Sequence, residues 1–176
     1  MRRLILAAVL SITAVAIHAE ALTAESIQSM NNKKVEQNLP DSHPSAYFHY
    51  AIKLFKANKQ DLGVRWYYVG QIRYRAHLLA HPDLPANAEP AEFADINKNL
   101  EPAISNWAGG NVRIWVQSIN EALQWDASHP NNFTSKEMYA SQIEQARDEV
   151  SKTRDTIKTS EAQIKAERAA KGLMDR

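Results

Sequence analysis

The 176-residue chain contains no cysteine. That absence excludes disulfide staples, thiolate zinc sites, cysteine nucleophiles and an acylated lipoprotein cysteine. Glycine is scarce, at five residues, and neither a GxSxG elbow nor a GxxxxGK[ST] phosphate loop occurs. No excess of one charge exists either: 21 Lys and Arg face 20 Asp and Glu, a formal net of +1. A nucleic-acid binder working by bulk charge would be strongly basic, so that class is set aside. What remains is an ordinary globular mixture, 44% hydrophobic and 23% charged, of a length that fits one domain.

The single long apolar run lies at the start. Arg2 and Arg3 precede Leu4 to Ile17, an uncharged stretch of 14 residues, and Ala19-Glu20-Ala21 offers an A-x-A cleavage site. Positive start, apolar stretch and small-residue exit in that order describe a secretory signal peptide over residues 1–21. Fourteen residues fall short of the roughly 20 that a spanning helix requires. Cleavage after Ala19 or Ala21 fits the pattern; the later cut leaves 155 residues with 19 basic and 19 acidic side chains. The expected product is an exported, periplasmic domain of residues 22–176 with no stable membrane insertion, held by its core alone.

Proline and glycine positions divide that domain. The seven prolines stand at 40, 44, 82, 85, 90, 102 and 130, and the proline-free windows between them are rich in helix-forming residues. A polar helix is expected over 24–37 and a second over 45–59. Asn58 supplies a left-handed turn, and another helix follows over 62–80. Helical material over 91–107 is interrupted or kinked at Pro102 and stops at Gly109-Gly110. Asn111 then caps a helix carrying Ile114, Trp115, Ile119, Ala122 and Leu123. Thr134 and Glu137 have capping-box spacing, with Phe133 and Met138 as a hydrophobic staple, and they announce a C-terminal helix of some 35 residues. Its inward stripe reads Tyr139, Ile143, Ala146, Val150, Thr153, Ile157, Ser160 and Ile164, and residues 165–176 suit a frayed tail. The fold class is all-α, a bundle of five or six helices.

Residues 64–79 carry apolar or aromatic side chains on every face, which marks the central helix of the bundle. With the preceding helix it resembles one tetratricopeptide-like hairpin over residues 47–75. Tyr47, Tyr50 and Ala51 stand at that family's aromatic, apolar and small positions, and Gly63, Tyr67 and Gly70 at its small, aromatic and small ones. Leu54 replaces a Tyr, Arg75 replaces a Pro, and no second copy follows. The resemblance therefore implies one closely packed helix hairpin rather than a repeat array.

No catalytic residue is assigned. Arg65, Arg73 and Arg75 on the central helix, with Tyr68, form a candidate binding pocket for an anion or an acidic partner loop. The structural alternative pairs these arginines with Asp61, Glu92, Asp95 or Asp126. His77 and His81, four residues apart with Asp83 nearby, are candidate metal ligands, although the pair lacks the glutamate of HExxH. His43, His49 and His129 read as cap or surface residues, and the four tryptophans as core. No cofactor is implied. The reading that follows is a non-catalytic, exported helical protein that binds a protein partner, of an immunity or adaptor type. Two alternatives stand beside it: a metal-assisted envelope enzyme, and a self-assembling envelope protein that forms a homodimer through residues 139–164.

Overall fold

A computed structural model describes residues 22–176; the leader expected over 1–21 lies outside them. In chain order the helices are α1 (Ala24–Ser29), α2 (Asn32–Asn38), α3 (Ser45–Lys56), α4 (Gln60–Ala80), α5 (Glu89–Ala108), α6 (Val112–Ser128), α7 (Ala140–Thr159) and α8 (Glu161–Ala170), with a 3-10 turn at Leu39–Asp41. No strand occurs among the described residues. The all-α bundle is as the composition requires. The described residues hold eight helices rather than five or six because two expected helices are each divided. Met30 takes an extended conformation and Asn31 starts a new helix, its Oδ1 accepting from the Lys34 N–H. At the other end the long C-terminal helix breaks at Ser160.

Helix α4 is the axis, packed against α3, α5, α6 and α7. Its burial on all sides follows from its composition: Val64, Trp66, Val69, Ile72, Tyr74 and Ala76 are all enclosed. The α3–α4 turn closes at Asn58, whose φ of 57° is the left-handed conformation that Asn tolerates well. Close approach of the two helices requires glycine twice. A Cβ on Gly63 would overlap Phe55 Cδ2, and one on Gly70 would lie 3.0 Å from Phe48 Cζ.

Pro102 does not interrupt α5, which is continuous across it. The proline is exposed, and so is Lys98, whose carbonyl the proline leaves unbonded, so water can satisfy that group. Asn111 caps α6 as expected, its Oδ1 accepting from the Ile114 N–H at 3.1 Å.

The capping box at Thr134–Glu137 does not form. Helix α7 begins six residues after Thr134, at Ala140. The Thr134 N–H instead donates to Asn131 Oδ1, and Glu137 is bonded by the Ser135 hydroxyl. Thr134 is fully buried and serves a different partner, described below. Along α7, Ile143, Ala146, Val150 and Ile157 are buried while Thr153 is exposed; α8 buries no side chain completely. No helix of the described residues is long and apolar enough to cross a membrane.

Candidate functional site

Two polar clusters lie along α4, one turn apart. The first gathers around His77. His43 stands in the turn before α3, His77 in the last turn of α4, and Glu89 at the start of α5. The hairpin brings α3 beside α4, and the loop 81–88 returns the chain so that the first turn of α5 meets both. The Glu89 carboxylate, at a helix N-terminus that favours negative charge, places Oε2 2.6 Å from His77 Nε2 and 3.3 Å from His43 Nε2. Each imidazole turns its other nitrogen outward onto a hydroxyl: His77 Nδ1 lies 3.3 Å from Thr134 Oγ1, and His43 Nδ1 lies 2.7 Å from Ser45 Oγ.

Aromatic rings close the sides of this cluster. The Phe133 ring packs 5.1 Å from both imidazoles, and Tyr74 meets His43 edge-on at 5.4 Å. The His77 side chain is only 7% exposed. Burial pushes its imidazole below the ordinary range, which the Glu89 charge offsets only in part, so the neutral form predominates at neutral pH. Its Nε2 makes no hydrogen bond of good geometry despite the nearby carboxylate. The donor set is therefore two imidazole nitrogens and one carboxylate oxygen, all within 4.8 Å of one another.

His81 does not join this group. Its Nδ1 lies 2.9 Å from the His77 carbonyl, and its ring lies tilted between those of His77 and Tyr139. Sequence spacing points to His81 because i,i+4 pairs are visible in a string. His43 and Glu89 are 34 and 12 residues from His77 and carry no local signal. The one readable hint is Thr134, whose spacing to Glu137 reads as a helix cap instead.

The second cluster surrounds Arg73, which is 1% exposed. Its Nε lies 2.6 Å from Asp126 Oδ1, while Nη1 and Nη2 donate to the carbonyls of Pro130 and His129. Asp126 also accepts from Arg147 at 2.8 Å, and the Lys136 ammonium is bonded to its backbone carbonyl. The guanidinium lies 5.4 Å from the centroid of the Trp125 ring. Asp126 is thus shared by two arginines, and the Lys136 ammonium rests on backbone carbonyls, as in a structural ion cluster.

The four side chains expected to share a pocket are separated. Tyr68 and Arg75 line one cleft of about 300 Å³ with Tyr67, Gln71 and Asn97. In it Arg75 pairs with Glu149 at 3.2 Å, and Tyr68 accepts from Trp115 Nε1 at 3.0 Å. Arg73 faces Asp126 instead, and Arg65 packs over Trp66. Of the acidic partners considered, Asp126 serves Arg73, Asp61 serves Arg176, and Glu92 accepts from the Tyr74 hydroxyl.

A third feature is a groove of about 550 Å³ between α3 and α5. Phe48, Ile52, Ala91, Ile96 and Leu100 give it an apolar floor, and Glu92 and Asp95 stand on it. Neither carboxylate forms an ion pair among the described residues. In α5 only Ile104 and Ala108 are fully buried, so its first half leaves an apolar face partly uncovered.

Compared with protein-family models, curated proteins and solved structures, the chain has no match. The geometry of these three places therefore carries the functional argument.

Proposed function

We propose that the chain is an exported, non-catalytic helical protein that binds a partner protein through the groove between α3 and α5. The observation that carries this reading is the half-covered α5 face, with an apolar floor beside two carboxylates that have no cationic partner. Exposed apolar surface rimmed by polar groups is characteristic of interaction sites. The unpaired Glu92 and Asp95 specify the occupant: an amphipathic segment of a partner protein carrying Lys or Arg beside its apolar residues. An immunity or adaptor role fits such a surface. Export is supported by the sequence of residues 1–21.

The test places a photo-crosslinking residue at Ile96 in the full chain, with Gln117 on the exposed face of α6 as control. One recurring adduct from position 96, lost on Asp95→Lys/Glu92→Lys charge reversal, is the expected result. Identical adducts from position 117, or none from 96, overturn the groove assignment. N-terminal sequencing of the product checks export separately: a chain beginning at Glu20 or Leu22 in the osmotic-shock fraction is expected, and an uncleaved cytoplasmic chain refutes it.

A further inference from the structure

We propose that His43 Nε2, His77 Nε2 and Glu89 Oε2 form a binding site for a divalent transition-metal ion of the zinc class. The reading is independent of the groove between α3 and α5. Two imidazoles and one carboxylate are a donor set used for zinc, whereas calcium and magnesium take oxygen ligands throughout. With ligand bonds of about 2.0–2.1 Å, tetrahedral donors stand about 3.3 Å apart. The His43–Glu89 separation already has that value, at 3.3 Å. The His77–Glu89 contact of 2.6 Å must widen by less than about 1 Å. Glu89 can supply this movement, because its side chain is 28% exposed and sits on a first helical turn.

Two further observations point to a ligand. His77 Nε2 is enclosed and poorly aligned with Glu89 Oε2, as Arg73 Nε is with Asp126 Oδ1, but an imidazole nitrogen, unlike a guanidinium one, can offer a lone pair to a ligand. Both histidines also direct the same nitrogen inward and rest the other on a hydroxyl, which is how outer partners orient metal-binding imidazoles. The Ser45 N–H also points at His43 Nδ1, at 3.2 Å. That contact makes Nδ1 an acceptor, so binding requires the His43 proton to leave Nε2 for Nδ1, from which it is donated to Ser45 Oγ while the Ser45 N–H contact is given up. Phe133 and Tyr74 pack on the flanks of the imidazoles, and the fourth coordination position falls to a water molecule, which the partial exposure of Glu89 admits.

The experiment titrates the intact chain, purified and stripped with chelator, with ZnCl2 by calorimetry and with CoCl2 by visible absorption. One equivalent is expected to bind, with the intense d–d bands of tetrahedral cobalt and a raised melting temperature. Glu89→Gln and His43→Gln, at partly exposed positions, each lower affinity by about 100-fold or more. Thr134→Val lowers it by about 10–100-fold through the orientation of His77. His81→Ala leaves it unchanged. Thermal melting of the metal-free variants establishes that they are folded. Failure of the wild-type chain to bind zinc at 0.1 mM (order of magnitude) overturns the site. So does undiminished binding by folded Glu89→Gln and His43→Gln variants, or a loss confined to His81→Ala.

Discussion

Arg73 and His77 lie one turn apart on the same helix, both nearly enclosed, and each has a carboxylate oxygen 2.6 Å from a side-chain nitrogen. Their surroundings differ in kind. Around Arg73 a permanent cation meets Asp126, which is 1% exposed, and the carboxylate has a second partner in Arg147 while two carbonyls each take one further guanidinium N–H. Around His77 burial favours the neutral imidazole, and the carboxylate of Glu89 is 28% exposed. One cluster closes around a permanent charge and holds the fold; the other joins a neutral imidazole to a carboxylate that solvent reaches. The same helix thus shows that burial of a charged or polar group does not by itself mark a site. The difference lies in whether the group carries a permanent charge and in how far solvent reaches its partner.

The largest expected effect comes from breaking the buried ion cluster. Asp126→Ala leaves Arg73 and Arg147 without their shared anion. It is expected to cost about 3–5 kcal/mol of stability in urea unfolding. Glu89→Ala, at a carboxylate that water still reaches, should cost about 1 kcal/mol or less under metal-free conditions. Equal losses at the two positions would remove the distinction between the clusters.

Acid should separate them next. His77 has its imidazole pKa lowered in the folded protein by burial, so below about pH 6.5 the unfolded chain takes up a proton more readily than the folded one. Its contribution is complete above the ordinary imidazole range and is lost progressively as the pH falls below it toward the lower folded value. The groups facing the ring are Glu89, His43, His81 and Thr134. His77→Gln is therefore expected to flatten the fall in melting temperature between pH 7 and pH 5 relative to wild type. An unchanged slope would show that the neutral, buried imidazole is not what acid titrates.

Much of the bundle was legible because helix signals are local. The aromatic run of α4, the left-handed Asn58 and the Asn111 cap each depend on a few neighbouring residues, and the structure has all three. Gly63 and Gly70 could be read as contact points for the same reason. Pro102 misled because a proline's cost depends on whether the freed carbonyl meets water, which a string does not state. Thr134 misled because a hydroxyl that could cap a helix can equally hold an imidazole 57 residues away. His77 was singled out but with the wrong partner, since the loop 81–88 that returns Glu89 has no periodicity to follow. The arginines likewise could be seen to need anions without showing which ones.

The smallest effect tests the same rule at the protein's rim. Arg75 stands two residues after Arg73, and its Nε lies 3.2 Å from Glu149 Oε2, with the two side chains 31% and 44% exposed. Burial pulls the Arg75 pKa down and the Glu149 charge opposes that, yet the guanidinium has other support in the Gln71 side chain and the Phe93 ring. Removing Glu149 therefore strands nothing. Glu149→Gln is expected to cost about 0.2–1 kcal/mol at low ionic strength. The cost should shrink toward zero near 1 M salt, where the screening length falls to about 3 Å. The Asp126 effect should persist in the same salt because Arg73 and Asp126 are each only 1% exposed. A Glu149→Gln loss that is large and insensitive to salt would mean that exposure does not separate Arg75 from Arg73, and that the cleft beside Tyr68 is held as tightly as the core.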